Sequence, residues 1–300
     1  MFKSVKELIE KCETENKKIY EVMLEQEMEV TGLSEEEVYA HMDKNLQTME
    51  NALDEGLEGV TSTTGLTGGD AVLIKEYLKT GKSLSGATLL DAVSKAVATN
   101  EVNAAMGKIC ATPTAGSAGV VPGVLFGLKP RLEPTRKDML NFLLTSGAFG
   151  FVVANNASIS GAAGGCQAEV GSAAAMAAGA TVELAGGTPQ QSSEAFAICL
   201  KNMLGLVCDP VAGLVEVPCV KRNAAGASNA IVSADMALAG VTSRIPTDEV
   251  IEAMYKIGQT MPSALRETGR GGLAGTPTGC LLYTSPSPRD RTRSRMPSSA

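Results

Sequence analysis

The chain has 300 residues, of which 44% are hydrophobic, and this is enough apolar material for one large domain or two small ones. The net charge is −7 and no cluster of lysines and arginines precedes residue 281, so the composition excludes a protein that binds nucleic acid through phosphate contacts. No apolar signal segment or membrane-length apolar run is present, and seven scattered cysteines do not resemble a secreted disulfide framework. We therefore expect a cytoplasmic protein without a membrane partner.

Two helical patterns open the chain. Residues 4–31 place apolar side chains at helical spacing, which predicts one helix. Ser34 and Glu37 then form a capping-box pattern, which predicts a second helix up to about Gly56. His41, the only histidine, falls on this charged helix, where a surface position is favoured over a catalytic role.

Two polar, glycine-marked loops interrupt the helical pattern. Residues 61–70 either form a flexible connection or wrap a carboxylate with hydroxyl and amide groups, and they lack the Gly-Lys-Ser/Thr ending of a nucleotide loop. Asp70 is predicted to cap the helix that follows, over residues 71–79. The second loop, residues 110–119, leads into a predicted helix over 120–128, and free amides at such a helix start form an anion site.

Longer helical patterns fill most of the remaining sequence. Residues 167–184 are so rich in alanine and glycine that we predict a buried helix in close contact with its neighbours. Thr188 is a capping residue for a helix over 189–204, in which Cys199 is predicted to belong to the core. Further helices are predicted over residues 85–107, 134–154, 223–240 and 247–260. Strand patterns are scarce, so we predict an all-α fold, a single large many-helix domain with glycine-rich active-site loops.

Three cysteines lie in glycine-, proline- and acid-marked settings, namely Cys166, Cys208 and Cys219. Each falls at a predicted element end or turn, from which the backbone can direct a side chain to a common point. Thiolates are soft ligands that suit zinc, copper(I) or iron–sulfur clusters, and three of them would leave one coordination position open for Lewis-acid chemistry. Their spacing differs from the tight cysteine motifs of ferredoxins and zinc ribbons, so buried, unreactive cysteines are the alternative.

Several long motifs resemble the α subunit of iron–sulfur-dependent L-serine dehydratase, and the resemblance runs from about residue 15 to about residue 279. These motifs are Thr112-Pro-Thr-Ala-Gly-Ser-Ala-Gly119, Ala157-Ser-Ile-Ser-Gly161, Gly165-Cys-Gln-Ala-Glu-Val-Gly171, Cys208-Asp-Pro-Val-Ala-Gly213, Val217-Pro-Cys219 and Arg222-Asn-Ala224.

The resemblance implies that the chain converts L-serine to pyruvate and ammonia, beginning with β-elimination of water. It implies a [4Fe–4S] cluster with one open iron site, held by Cys166, Cys208 and Cys219. It also implies a separate β subunit, because the family is thought to place a histidine from the β region at the active site. The catalytic base within this chain is unknown, since its one histidine lies outside every motif.

Candidate contacts for L-serine are polar residues in the motifs that flank the cysteines, namely Thr112, Thr114, Ser117, Asn155, Asn156, Ser158 and Arg222. Arg222 either pairs with a carboxylate in a fork geometry or holds the loop of Cys219. Glu169 is interpreted as a residue that orients neighbouring groups rather than as the base, and Asp209 either does the same or caps a turn.

Residues 1–279 are interpreted as one catalytic domain of this type, with N-terminal helices over 1–56 and a cluster-binding core over 57–279. From Cys280 the sequence turns to serine, proline and arginine without periodicity, so residues 280–300 are predicted to be an artefactual or disordered tail, with a basic interaction tail as the alternative.

Two other functions stay open. The first is an L-cysteine desulfidase-like lyase, which would release sulfide from cysteine. The second is a non-catalytic iron–sulfur carrier or sensor, which would require a fourth protein ligand in place of the open iron site.

Overall fold

The computed structural model describes residues 1–284, and apart from one bridge between Thr61 and Gly68 its regular elements there are all helical. Within that range the α-helices are α1 (Val5–Glu15), α2 (Ile19–Thr31), α3 (Glu35–Glu58), α4 (Asp70–Lys79), α5 (Ala87–Ala104), α6 (Val120–Leu132), α7 (Arg136–Asn156), α8 (Gly161–Gly164), α9 (Ser172–Leu184), α10 (Pro189–Lys201), α11 (Cys219–Leu238), α12 (Thr247–Thr260) and α13 (Pro277–Thr284). A π-helical turn, Gln167–Gly171, runs directly into α9, and short 3-10 turns cover Ala115–Ser117, Val211–Gly213, Ser263–Leu265 and Gly272–Gly275. The all-α prediction is confirmed, and none of the helices in residues 1–284 is long and apolar enough to cross a membrane.

The first predicted helix is in fact two helices, α1 and α2. Asn16 adopts a left-handed conformation with φ of 51°, and its N–H donates to the carbonyls of Cys12 and Glu13, which ends α1. The apolar spacing continues across this break, so periodicity alone misses it.

The local signals for α3 and α10 are confirmed. The Ser34 hydroxyl accepts a hydrogen bond from the Glu37 N–H, and the Glu37 carboxylate accepts one from the Ser34 N–H. Thr188 makes the same reciprocal pair with Gln191 at the start of α10. His41 lies exposed on α3, as predicted.

Helix α9 forms the buried centre of the fold, in contact with α6, α7, α10 and α11. Its small side chains let larger ones approach closely: a Cβ placed on Gly179 would stand 2.5 Å from the ring of Phe149. Phe149 in turn stacks on Phe196 of α10, with 5.0 Å between the ring centroids. Cys199, also on α10, is fully buried. The predicted close-packed alanine and glycine helix and the core position of Cys199 are both confirmed.

Helices α5 and α6 pack backbone against backbone. A Cβ on Gly123 would stand 2.6 Å from the Cβ of Ala96, and Gly127, one turn later, meets Ala92 in the same way. Residues four apart share one face of a helix, so these two glycines form a groove that admits α5. The contact holds the start of α6, and the polar loop before it, against α5.

Several predicted boundaries differ from the structure; for example, α5 spans Ala87–Ala104 rather than residues 85–107, and α11 begins at Cys219 rather than at residue 223. Asp70 begins α4 but does not cap it, because its carboxylate pairs with Lys221 while the buried Glu101 of α5 accepts from the N–H groups of Asp70 at 2.8 Å and Ala71 at 3.3 Å. Helix α7 extends to Asn156, so Asn155 and Asn156 are its last residues rather than part of the following loop. Helix α13 runs past the proposed junction at residue 279, and the rest of the predicted tail, residues 285–300, lies outside the described residues.

Candidate active site

The three candidate cysteines all lie at element ends and are all buried. Cys166 directly precedes the π-helical turn, Cys208 lies in the loop after α10, and Cys219 is the first residue of α11. The Gln167 N–H donates to the Leu206 carbonyl at 3.0 Å, and Arg222 Nη1 donates to the Val207 carbonyl at 2.9 Å. The fold therefore brings together the segments that carry the three cysteines, which are 42 and 11 positions apart in sequence.

Burial keeps these cysteines in the thiol form. Loss of solvation raises the pKa of Cys166 to about 11 and that of Cys219 to about 12, and it raises the pKa of Cys208 as well. The positive charge of Arg222 opposes the shift at Cys166 and Cys219. Within residues 1–284 no three side chains of the histidine, cysteine, aspartate or glutamate type converge tightly enough to hold a single metal ion.

Arg222, on the first turn of α11, joins the segments that carry Cys166 and Cys208. Its Nη1 donates to the Val207 carbonyl at 2.9 Å, and its positive charge lies close enough to Cys166 to oppose the rise in the pKa of that thiol. The same Nη1 lies 2.7 Å from Asp209 Oδ1, as an ion pair without the alignment of a hydrogen bond. The polar contacts of the Arg222 side chain are thus made with the neighbouring cysteine segments.

Gly161 lies in close contact with Cys208 and Glu169. A Cβ at this position would stand 3.0 Å from Cys208 Sγ and 2.7 Å from Glu169 Oε2. Burial raises the pKa of Glu169, and a Cβ on Gly116 of the 110–119 loop would stand 3.2 Å from the same carboxylate oxygen. Glu169 therefore joins the Cys166 segment to the polar loop of Thr114, which agrees with an orienting role.

Gln167 fixes the backbone next to Cys166. Its fully buried side-chain Nε2 donates to the carbonyls of Gly164 at 2.9 Å and Met254 at 3.0 Å, and its Oε1 accepts from the Gly205 N–H at 2.9 Å. Its own N–H donates to the Leu206 carbonyl at 3.0 Å. One side chain thereby ties together α8, α12 and the turn that leads to Cys208.

The 110–119 loop is closed by its own hydroxyls and tied to α11 by Asn223. Ser117 is buried and donates to the Thr112 carbonyl at 3.0 Å, and its hydroxyl lies 3.2 Å from that of Thr114. Asn223 Oδ1 accepts from the Gly119 N–H at 3.0 Å, so this amide at the start of α6 is already bonded within the protein. Asn223 Nδ2 donates to the carbonyls of Gly116 at 2.8 Å and Cys219 at 2.9 Å.

The 61–70 loop is tied to the segment between Cys208 and Cys219. The buried carboxylate of Glu216 accepts hydrogen bonds from the hydroxyls of Thr64 at 2.9 Å and Thr67 at 3.1 Å. The two polar loops of the sequence analysis thus both reach the cysteine segments, through Glu216 and Asn223 respectively.

A segment near the end of the described chain covers Cys208. The Cys208 N–H donates to the Leu265 carbonyl at 2.9 Å, and the Leu273 N–H donates to Asp209 Oδ2 at 2.7 Å. Gly272 has a φ of +58°, and a Cβ there would overlap the Asp209 side chain. Asp209 therefore ties the Cys208 loop to residues 265–273.

Asn155 and Asn156 have bonds within the scaffold. Asn155 Nδ2 donates to the Phe151 carbonyl at 2.7 Å, and Asn156 Nδ2 donates to the carbonyls of Lys3 and Val152, each at 2.8 Å. Ser158 accepts from the Ser160 N–H at 3.1 Å, in the turn before α8. As substrate contacts these three residues stay predictions.

Sequence reasoning missed Glu216, Asn223, Gln167 and Gly161 as residues that shape the site. Three of them stood inside motifs already singled out: Gly161 ends one motif, and Gln167 and Asn223 directly follow Cys166 and Arg222, where a polar side chain was an available signal. Glu216 also had a signal, because it is a lone acid between the apolar residues Val215 and Val217. Their partners, in contrast, lie far away in sequence.

The chain is similar in sequence to known proteins. The family model described as serine dehydratase alpha chain matches residues 14–274. The chain is 74% identical over 279 residues to the probable L-serine dehydratase, alpha chain, of Bacillus subtilis, with 93% of each chain covered. It is 45% identical over 280 residues to the L-serine dehydratase, alpha chain, of Peptoniphilus asaccharolyticus, covering 93% of this chain and 96% of the relative. L-serine dehydratase 1 of Escherichia coli is 39% identical over 281 residues, with 91% of this chain but only 61% of the relative covered.

Proposed function

The chain belongs to the serine dehydratase α-chain family, and on that premise we propose that it is the α subunit of an L-serine ammonia-lyase. The reaction removes water from L-serine across the Cα–Cβ bond, and the resulting enamine becomes an imine that water hydrolyses to pyruvate and ammonia. The observation that carries this proposal is the contact of two polar, glycine-marked loops with the segments that carry three buried cysteines.

We propose that Cys166, Cys208 and Cys219 would hold a [4Fe–4S] cluster. Support comes from the burial of all three thiols, which are soft ligands, and from the hydrogen bonds that link the segments carrying them. Ligand binding would displace the thiol protons that burial otherwise retains. When bound, a cluster with one iron free of cysteine would supply Lewis-acid chemistry toward the hydroxyl and carboxylate oxygens of serine.

The hydroxyls of Thr112 and Thr114 are proposed to bind and orient L-serine beside the cysteines, and the buried Ser117, whose hydroxyl donates to the Thr112 carbonyl at 3.0 Å, is proposed to hold their loop in shape. Support comes from Glu169 and Asn223, which hold this loop against the segments of Cys166 and Cys219. Such hydroxyls both donate and accept hydrogen bonds and therefore suit a zwitterionic amino acid.

Three further candidates receive less support as substrate contacts. The existing bonds of Arg222 favour the alternative that it holds the cysteine segments, which would still place a positive charge near the substrate carboxylate. Asn155 and Asn156 direct their amides to backbone carbonyls.

A separate β subunit is proposed to complete the enzyme and to supply the base that removes the Cα proton. The relatives named as alpha chains are covered over 93–96% of their length, whereas the longer relatives named only as L-serine dehydratase are covered over about 61%. The remaining part of those longer chains corresponds to the proposed partner. His41 is unsuited to the role of base because it lies exposed on α3. The cavity that it lines also contains the apolar side chains of Met23 and Leu143.

Two features of organisation are also proposed. Residues 57–279 would form the cluster-binding core with residues 1–56 as supporting helices, and the family match that ends at residue 274 supports a junction near residue 279. Seven scattered cysteines and an iron–sulfur centre suit a reducing compartment, so the cytoplasm is the proposed location.

The test is an anaerobic assay of the chain after reconstitution with iron and sulfide. Pyruvate formation from L-serine in the presence of a β partner is the expected result, with sulfide release from L-cysteine far lower. Preferential release of sulfide would instead identify a cysteine desulfidase, and a brown protein inactive on both substrates would identify a carrier or sensor. Full serine turnover by the chain alone would refute the need for a second subunit.

A further inference from the structure

We infer that Glu216 is a positioning residue for the proposed lyase: it fastens the 61–70 loop to the cysteine segment, so that the loop forms one wall of the L-serine site. The inference rests on the proposed function for the identity of the substrate. The tie between Glu216 and the loop rests on geometry alone.

The hydrogen bonds of the Glu216 side chain all reach residues that are distant in sequence. Its two carboxylate oxygens each lie 2.9 Å from the Thr64 hydroxyl, and Oε2 also lies 3.1 Å from the Thr67 hydroxyl, about 150 residues away in sequence. Glu216 is only 5% exposed. The backbone near it is also fixed, since its carbonyl accepts from the Val220 N–H at 3.0 Å, in the first turn of the helix that carries Cys219.

The buried carboxylate of Glu216 lacks a cationic partner among the described residues. This argues for a positioning role of Glu216 rather than for a stabilising one. Within residues 1–284 no lysine, arginine or histidine forms an ion pair with Glu216, so two neutral hydroxyls alone compensate a buried acid. Burial of a charge without a cation is costly, and an amide or a small apolar group would avoid that cost. Charge-assisted hydrogen bonds are shorter and stronger than neutral ones, so a carboxylate at this position holds the threonines more firmly than an amide would.

The 61–70 loop is a short hairpin that is attached to the segment around Glu216. Thr61 and Gly68 form an antiparallel bridge, and the Ser62 N–H donates to the Thr67 carbonyl at 2.9 Å, which closes a short hairpin. At its far end Asp70 pairs with Lys221, two residues after Cys219. Thr64, Thr67 and Asp70 thus attach the loop to the segment from Glu216 to Lys221, and Glu101 of α5 also accepts from the Asp70 N–H. The Glu216–Lys221 segment therefore helps to fix where the loop lies relative to the cysteines.

The consequence concerns substrate binding more than chemistry. Loss of the tie frees the loop and leaves the cysteine ligands in place, so the affinity for serine should fall while the turnover of bound serine changes less. We expect Glu216→Ala to raise KM for L-serine roughly ten- to hundredfold, with kcat lowered by less than about fivefold. Glu216→Gln keeps one oxygen acceptor for a threonine and should recover part of the loss.

The experiment compares wild type, Glu216→Ala, Glu216→Gln and Thr64→Val/Thr67→Val as iron-loaded protein in complex with the β partner. The double threonine variant removes the same hydrogen bonds from the loop side and leaves the cysteine segment untouched. Thr63→Val is its matched control, because Thr63 lies exposed in the same hairpin and does not bond Glu216. Each protein is measured for KM and kcat, for iron per chain, and for amide hydrogen exchange of residues 61–70.

The expected pattern is a raised KM and faster exchange of residues 61–70 in Glu216→Ala and in Thr64→Val/Thr67→Val, with Thr63→Val like wild type. Combining Glu216→Ala with the threonine changes should add little, because all of them remove one tie. Unchanged exchange, additive effects on KM, or a KM equal to wild type in the threonine variant would each overturn the inference. A wild-type complex that leaves serine intact would refute the proposed function instead, and the exchange data would still decide the tie.

Discussion

The N-terminal helices and the cysteine region differ in what marks their boundaries, although α1 and α2 also bond distant carboxylates, since Asp248 accepts from the Val5 N–H at 2.8 Å and Glu183 accepts from the Ile19 N–H at 2.6 Å. Helix α3 begins where Ser34 and Glu37 bond each other, and α1 ends at Asn16, so local signals set these boundaries. In the cysteine region, Asn223 and Glu216 instead bond backbone or side-chain groups more than 100 residues away. The first arrangement stabilises a helix wherever it packs, whereas the second fixes particular segments relative to one another.

This difference predicts which variants separate stability from function. A change among the N-terminal helices should alter the free energy of unfolding and leave the site intact. A change in the cysteine region should alter iron content or substrate affinity before it unfolds the protein. The following variants test that separation, and most of them are compared with a control variant elsewhere in the fold.

The largest effect is expected for Cys208→Ser. Its hydroxyl is a poor replacement for a soft thiolate, so the purified protein should lose most of its iron and acid-labile sulfide, together with all serine turnover. Cys199→Ser is the control, because Cys199 is fully buried in α10 and its Sγ takes part only in core contacts such as that with Asn229 Nδ2, at 3.1 Å. Anaerobic iron and sulfide analysis of both variants is the measurement. Cluster retention in Cys208→Ser would exclude this cysteine as a ligand.

A large effect is also expected for Gly161→Ala. The new Cβ would stand 3.0 Å from Cys208 Sγ and 2.7 Å from Glu169 Oε2, so it would occupy the space beside the cysteines and should lower iron content severalfold. Gly147→Ala is the control, since a Cβ at Gly147 in α7 meets no atom within 4 Å. It should raise stability by about 0.5–1 kcal/mol through better helix propensity. Iron per chain and thermal unfolding of the two variants measure the contrast, and equal iron content would argue against a group bound beside Gly161.

An intermediate effect is expected for Asn223→Ala. Three buried backbone groups, the Gly119 N–H and the carbonyls of Gly116 and Cys219, lose their side-chain partner. Each unsatisfied buried group costs about 1–3 kcal/mol, so both stability and kcat/KM for serine should fall. Asn229→Ala is the matched control outside the cysteine motifs, because the Asn229 Nδ2 also donates to a backbone carbonyl, that of Cys199 in α10, at 2.9 Å. Chemical denaturation and steady-state kinetics should show a loss of activity for Asn223→Ala alone.

The difference between local signals and long-range bonds also explains how much of the structure could be predicted from the sequence. Helices with local start signals were predicted closely, for example α10 after Thr188, and the motif cysteines were identified as the candidate ligands. The break between α1 and α2 was missed because the apolar spacing runs through it. Asp70 was predicted as a cap because local sequence cannot show that Glu101, from another helix, takes that role.

The residues that organise the site were missed for the same physical reason. Glu216 and Asn223 form their bonds only after distant segments meet, and neither spacing nor propensity encodes that meeting. Predictions for the three cysteines came from motif resemblance and not from spacing. Long-range polar ties are therefore the part of this molecule that requires the structure.

The smallest effect is expected for Ser34→Ala, which removes the cap of α3. The Glu37 N–H loses its hydroxyl acceptor at an exposed helix end, and such caps contribute about 1 kcal/mol. Thermal unfolding should therefore begin a few degrees lower, while iron content, KM and kcat stay at the wild-type values below that temperature. Ser34→Asp supplies another capping acceptor and should restore the stability. A change in KM for Ser34→Ala would mean that the N-terminal helices transmit strain to the site, and the separation between the two regions would then be wrong.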